Sequence, residues 1–383
     1  MRNSHQRFLR TWLTGSLLAL SALALFNLSV DPRGVFLGLN LEALEAMRYS
    51  ETSRPAKGEI ARHGGWEVII LGSSRVQTAF PADHPVLQGR TGNLGLNAAR
   101  IAELSMALDY ARTRSDVRQV ILGLDYYMFS AGPDMILDFP ECRLHPRVDL
   151  FAYYSRHLLG ASITEDSFHL LRDRLANRIP PVQDRFGFND KRMKDTESQR
   201  AVFERNMANL GPGYAKIQYQ PTNMEWLRHI IRDCREHGIE LRICIMPMHV
   251  ANMELIHAGN QWPDFEQWKR DLVRVLREEG VESEAPLIDF SDYRGYSTEE
   301  IPPIHDTRTR MKYWLENSHA TTALGSIMMD TLYGPGPSTF GVKLDGSNLE
   351  AHLAEMRNAR EEYVLTHPEE CKWAQGIGKG VGP

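Results

Sequence analysis

Between Arg10 and Asp31 the chain carries no charged side chain, and the interval includes the run WLTGSLLALSALALFNLSV. As a helix rising about 1.5 Å per residue, it reaches about 30 Å, the thickness of the bilayer hydrocarbon. It lacks polar residues at helical spacing that would make a wet face, which argues against a core helix. Arg2, Arg7 and Arg10 precede it and Asp31 follows, so positive charge stays cytoplasmic and the bulk of the chain is expected outside, in the periplasm. A cleavable signal peptide is the rival, since Ala22-Leu23-Ala24 has the small-x-small form; Leu25-Phe26 continue the apolar stretch beyond it, which favours an uncleaved anchor. The expected layout begins with a cytoplasmic end at 1–10, a transmembrane anchor at 11–30, and a stalk and covering helix at 31–65.

The remaining chain reads as globular. With 44 Lys+Arg against 49 Asp+Glu the formal charge is −5, so no basic field exists to hold nucleic acid. Apolar residues at 42% and charged residues at 24% exclude wholesale disorder and a multi-span membrane protein. Cys142, Cys234, Cys244 and Cys371 form no CxxC pair, so no zinc site is expected. Cys234 and Cys244 read as core, and a Cys142–Cys371 disulfide is permitted outside the cytoplasm. No metal or nucleotide cofactor is implied.

Glu67–Leu71 is a short apolar run ending at Gly72, the pattern of a buried parallel strand. Ala98–Thr113 follows at helical spacing, then a second buried strand at Val120–Leu124. Met224–His237 places Trp226, Ile230, Ile231 and Cys234 on one face, Gly238 stops it, and Ile239–Ile245 follows as a strand. Phe265–Glu279 is another amphipathic helix leading to Pro286–Phe290. Strands alternating with helices predict an α/β fold: a doubly wound, flavodoxin-like parallel sheet with helices on both faces. The domain is expected over 66–334, with an insertion at about 129–221. After it come a linker, a charged helix at Leu349–Val364 and a flexible Gly-rich tail, spanning 335–383.

Ligands in such folds sit at the carboxyl ends of the strands. Leu71 is followed there by Gly72-Ser73-Ser74-Arg75, Leu124 by Asp125-Tyr126, and Ile245 by Met246-Pro247-Met248-His249; Glu316-Asn317-Ser318-His319 precedes the C-terminal helix of the domain. A hydroxyl, an imidazole and carboxylates therefore converge on one edge, and a serine nucleophile needs a base that is itself oriented. Each assignment has a plainer rival. Gly-Ser-Ser after a strand also makes a tight turn with serine as helix cap. His319 also suits a solvated loop beside the cap of the next helix. Asp125 also satisfies donors beneath a pocket, and His249 either lines the pocket or ends a strand. Arg75 either binds an anionic group or pairs with a carboxylate. Tyr126, Tyr127 and Phe129 stack on sugars or pack in the core.

Strand-Gly-x-Ser, then Asn93-Leu94-Gly95, then Gly-x-Asp at Gly123–Asp125, then x-x-x-His at 316–319 resembles the SGNH (GDSL-like) hydrolase superfamily. Within it, the pattern is similar to the anchored extracytoplasmic branch that includes the alginate O-acetylation proteins and DltD, where Gly-Ser-Ser replaces Gly-Asp-Ser. The resemblance covers about residues 66–334 and rests on order and spacing. It implies Ser74 as nucleophile, His319 as base and Glu316 as its orienter. It further implies an oxyanion-hole amide at Gly95, and the hole is expected at Ser74, Gly95 and Asn97; the loop positions of Arg75, Asp125 and His249 put these three in substrate binding. Glu316 stands where aspartate is usual. Asp125 stands where the family has a donating asparagine, and a carboxylate accepts but cannot donate. Losing one such donor typically costs about 10²–10³ in rate, with Asn93, Asn97 or Arg75 as the substitutes at hand.

The expectation is a membrane-anchored serine acyl esterase or O-acetyltransferase acting on a cell-surface polysaccharide or glycan, with a membrane-bound acyl donor or polysaccharide synthase as partner. The alternative is a non-catalytic, membrane-tethered carbohydrate-binding or assembly component of a polysaccharide modification system, which Asp125 favours.

Overall fold

The computed structural model describes residues 2–36, 41, 44, 54–136, 138–176, 187–188, 197–214, 216–334 and 340–379. Its centre is a six-stranded sheet formed by β1 (Val68–Leu71), β2 (Thr91–Asn93), β3 (Gln119–Leu124), β4 (Glu240–Ile245), β5 (Leu287–Asp289) and β6 (Val342–Leu344), in the order β2-β1-β3-β4-β5-β6. The first five strands pair in parallel, and β6 pairs antiparallel to β5. The four apolar strands expected from the sequence are present. The two missed strands lack an apolar run. β2 is Thr-Gly-Asn, aligned on β1 through Val68↔Thr91. β6 is an exposed edge carrying Lys343, a charge that discourages further pairing, and its direction corrects the expectation of an all-parallel sheet.

Helices surround the sheet: α1 (Arg2–Val30), α2 (Arg54–His63), α3 (Ser74–Ala79), α4 (Ile101–Arg112), α5 (Leu150–Leu159), α6 (Ala161–Leu175), α7 (Gln199–Tyr214), α8 (Met224–Glu236), α9 (Val250–Ala258), α10 (Trp262–Glu278), α11 (Thr322–Tyr333), α12 (Leu349–Thr366) and α13 (Pro368–Gly378). Ile69, Ile121 and Ile243 of the strands share one buried core with Leu104, Ile230 and Leu272 of the helices, each side chain worth about 1.5–3 kcal/mol of transfer from water. Residues 37–40, 42–43 and 45–53 of the expected stalk and covering segment lie outside the described residues, but its end forms α2. Within α1, Ser4–Val30 is long and apolar enough to cross a membrane as an anchor or to serve as a signal sequence.

The end of the chain differs from its expectation. Residues 368–378 form α13, which packs on α7 and α9 with Ala374 and Ile377 buried. Its glycines serve contact rather than looseness: a Cβ on Gly378 would stand 3.0 Å from Leu255 Cδ2 and 3.1 Å from Ala258 Cβ, and one on Gly211 would stand 3.1 Å from Gly378 Cα. The 335–339 linker lies outside the described residues. The four cysteines are all buried thiols without disulfides, and burial pushes those of Cys142 and Cys234 up to about 12.

A fully buried ion pair holds α10 to the sheet and α12 closes over it. Lys269 Nζ donates to Asp289 Oδ2 at 2.5 Å and to Ser291 Oγ at 2.8 Å, and His352 Nε2 meets the same carboxylate at 3.0 Å. Burial opposes ionisation of Asp289, but Lys269 and His352 outweigh it and hold its carboxyl below the ordinary carboxylate range. Lys269→Met is expected to cost about 3–5 kcal/mol in urea unfolding at pH 7, because it strands a buried carboxylate. A depressed folded pKa contributes stability above the unfolded value and loses it below, so the gap between variant and wild type should narrow as the pH falls below about 4.

Candidate active site

β1 ends at Leu71 and the chain turns through Gly72 into α3. A side chain at Gly72 would meet Val76 Cγ1 at 2.6 Å and the Gly123 carbonyl at 2.9 Å, so β1, β3 and α3 leave room only for glycine. Ser73 then caps α3, its Oγ accepting from the Arg75 N–H at 3.1 Å. The same hydroxyl donates to Asp125 Oδ2 at 2.6 Å, and Arg75 Nη1 donates to Asp125 Oδ1 at 2.5 Å. Asp125 follows β3 and is buried. Ser73 therefore takes the capping role that the sequence left open, and the neighbouring Ser74 hydroxyl lines a cavity.

The imidazole arrives from the other side of that cavity. Trp314 and Ala320 form a two-residue bridge, and Leu315 N–H donates to the His319 carbonyl at 2.9 Å, folding 314–320 into a tight loop. Its tip turns Glu316 back on itself: the carboxylate accepts from Ser318 N–H at 3.1 Å and from His319 Nδ1. His319 Nε2 lies 2.8 Å from Ser74 Oγ. Because a carboxylate only accepts, Nδ1 carries the proton toward Glu316 and Nε2 is left to accept from Ser74. Ser74, His319 and Glu316, named from the sequence, are thus brought together in a hydroxyl–imidazole–carboxylate relay.

The loop is held by helices α7 and α9. Gln199 Nε2 donates to the carbonyls of Trp314 at 3.0 Å and Leu315 at 2.8 Å, and Asn206 Nδ2 donates to Glu316 Oε2 and, at 2.8 Å, to Asn317 Oδ1. From α9, Asn252 Oδ1 accepts from Asn317 Nδ2 at 2.7 Å, while Asn252 Nδ2 donates to the Tyr214 hydroxyl at 2.8 Å. Arg75 Nη2 approaches that hydroxyl at 3.4 Å. Sequence reasoning missed Gln199, Asn206, Tyr214 and Asn252. The available signal was the recurrence of Asn206, Leu210 and Tyr214 every four residues, which puts one amide on an otherwise apolar helix face.

The other expected site residues fall as follows. Arg75 lines the cavity; burial favours its neutral form, but Asp125 prevails and raises its pKa above the ordinary value. Burial and the same carboxylate keep the Tyr127 hydroxyl protonated far above neutrality. Gly95 donates its N–H to Asn93 Oδ1 at 3.1 Å and accepts from Gln77 Nε2 at 2.6 Å, so both its backbone groups are engaged. Asn93 Nδ2 donates to the carbonyls of Val76 at 2.9 Å and Phe80 at 3.0 Å. The Asn97 carbonyl accepts from Arg54. His249 is not brought to the cavity: it caps α9, Nδ1 accepting from Ala251 N–H at 3.2 Å and Nε2 donating to the Glu299 carbonyl at 2.8 Å.

The cavity measures about 270 Å³, with Ser74, Arg75, Asn206, Ser318 and His319 supplying polar groups to its lining and Ala98, Tyr127, Leu210, Tyr214 and Ile217 supplying apolar surface. Among the described residues, no group of three His, Cys, Asp or Glu side chains is placed to hold a metal ion. Compared with models of protein families, with curated proteins and with solved structures, the chain finds no significant match.

Burial pushes the His249 imidazole down to about 4. As pH falls from about 6.5, the unfolded chain binds this proton before the folded chain does, so the fold should lose stability down to about pH 4. Urea midpoints measured across that window should fall more shallowly for His249→Gln than for wild type. A share of the slope should persist, because His157 and His257 are also held at about 4 by burial.

Proposed function

We propose that this chain is a serine acyl esterase or O-acyltransferase of SGNH-like, doubly wound fold, anchored by α1 with its bulk outside the cytoplasm and acting on acyl esters of a cell-surface polysaccharide or glycan. The observation that carries the reading is the 2.8 Å approach of His319 Nε2 to Ser74 Oγ with Glu316 on the far nitrogen. The strand order supports it independently. In flavodoxin-like sheets ordered 2-1-3-4-5, ligands sit where the order reverses, between β1 and β3, and here Ser74 follows β1 and Asp125 follows β3.

Ser74 Oγ attacks the acyl carbonyl as its proton passes to His319 Nε2, and Glu316 holds the resulting imidazolium. The proton then returns to the departing alkoxide oxygen, leaving an acyl-serine. A sugar hydroxyl or water, deprotonated by the same imidazole, takes the acyl group and restores Ser74. The Gly95 amide is engaged by Asn93 and Arg75 Nη1 by Asp125, so charge on the carbonyl oxygen falls to the N–H groups that Arg75, a cavity-lining residue, keeps beyond that pair. The apolar residues Tyr127, Leu210, Tyr214 and Ile217 suit the acyl group. The space of about 270 Å³ is more than acetyl fills.

The engaged Gly95 amide also favours the second reading, a non-catalytic, membrane-tethered component that binds carbohydrate or docks a membrane-bound acyl donor or polysaccharide synthase. Hydrolysis of activated acyl esters by the full chain in detergent separates the two. Under the enzyme reading wild type turns over and accumulates an acyl-serine visible by mass spectrometry, and Ser74→Ala loses both, with turnover down by about 10³-fold or more. Across acetyl, butyryl and hexanoyl esters kcat/KM should rise about three- to fourfold per methylene until the cavity is full. Folded wild-type protein with neither turnover nor adduct would overturn the enzyme reading.

A further inference from the structure

The hairpin α5–α6 grips the end of the apolar helix. Asn27, in the last turns of α1, is fully buried: its Nδ2 donates to the Leu158 carbonyl at 2.9 Å and to Thr164 Oγ1 at 2.9 Å, and its Oδ1 accepts from Ser167 Oγ at 3.0 Å. Phe26 packs on Phe168 with ring centroids 4.8 Å apart, and just past the helix Arg33 pairs with Asp166 at 3.1 Å. The uncharged stretch ending at Val30 is only about as long as the hydrocarbon is thick. If α1 spans, Phe26 to Val30 lie at the outer edge of the bilayer, and whatever packs on them is carried to that level. An amide at that depth costs several kcal/mol unless satisfied, and α5–α6 satisfies it there.

This same hairpin exposes the large apolar side chains Leu150, Phe151, Leu159, Phe168 and Leu175, with Phe151 at 83% and Leu175 at 86%. Phe168, Leu171 and Leu175 recur at i, i+3 and i+7, with Leu171 half-buried, so an apolar stripe continues along α6 from the exposed Leu25 and half-buried Phe26 of α1. Soluble surfaces seldom collect such residues without a covering partner.

Resting on the anchor reading above, we propose that α5–α6 lies in the bilayer interface, Phe151 and the Phe168–Leu175 stripe entering the boundary between headgroups and acyl chains. The occupant of this face is lipid, because its apolar surface is continuous with that of the spanning helix. Helices that lie in the interface bury their apolar face by about 5–10 Å. Contact through α1 and through the hairpin fixes the tilt of the whole domain over the membrane, which one flexible tether would not.

Because the native cysteines are buried, introduced ones can be labelled selectively. Full-length Phe151→Cys, Leu175→Cys, Leu18→Cys and Leu365→Cys, each carrying an environment-sensitive nitrobenzoxadiazole, would be reconstituted in phosphatidylcholine–phosphatidylglycerol vesicles with doxyl-labelled lipid. Leu365, 82% exposed near the end of α12, is the aqueous reference. Labels at 151 and 175 are expected to shift to the blue and to be quenched at least about twofold more by shallow doxyl lipid than the label at 365. Deep doxyl lipid should quench the label at 18; without that quenching the anchor reading itself fails. Deep quenching at 18 with labels at 151 and 175 behaving like 365 overturns the proposal alone. So does a blue shift at 151 and 175 without lipid quenching, which marks contact with a second copy of the chain.

Discussion

A buried carboxylate at the end of β3 ties the site together. Asp125 cannot remain charged away from water without compensating donors, and it takes them from the turn that follows β1: the Ser73 hydroxyl and the Arg75 guanidinium. Satisfying Asp125 therefore fixes the conformation of the three-residue segment with Ser74 in its middle. Ser73 spends its hydroxyl inward, Arg75 commits Nη1 to the same carboxylate, and the Ser74 hydroxyl is left to face His319. Asp125 thus decides where the Ser74 hydroxyl stands, by holding both of its neighbours.

The opposing half of the site has no strand to stand on. The loop 314–320 carries Glu316 and His319, and its order comes from side chains on α7 and α9 that meet its carbonyls and its carboxylate. Asn317, Asn252, Tyr214 and Arg75 continue these contacts until they reach Asp125, so the two halves share one buried hydrogen-bonded network. Within such a network each group is costly to leave unpaired, and the arrangement resists partial rearrangement. The segment between β3 and β4, read from the sequence as an insertion of unassigned role, supplies Gln199, Asn206 and Tyr214 to this network, together with the apolar cavity residues Leu210 and Ile217.

Sequence patterning exposed the elements whose burial is continuous. β1, β3 and β5 are built on apolar runs, β4 ends in one, and α8 and α10 repeat their apolar residues at helical spacing, so each announces itself locally. β2 and β6 were hidden because their reasons for being strands lie in their neighbours. Ser74, His319 and Glu316 were legible because positions after strands and before a helix are where side chains can converge. The oxyanion assignments were not: whether the Gly95 amide is free depends on which way Asn93 turns its side chain, a choice made by the carbonyls of Val76 and Phe80. His249 went the same way, since a histidine after a strand caps the next helix as readily as it lines a pocket.

The close seat of Gly378 against Gly211 and α9 has a consequence in time. A chain is made from its N-terminus, so β1 and β3 exist before α13 is added. Yet α13 braces α7 and α9, the two helices that hold the loop bearing Glu316 and His319. The serine turn can form as soon as β1 and β3 meet, whereas the brace on the facing imidazole is completed only after residues 368–378 have been made. Such an order keeps the hydroxyl from meeting a fully supported imidazole until α13 is in place.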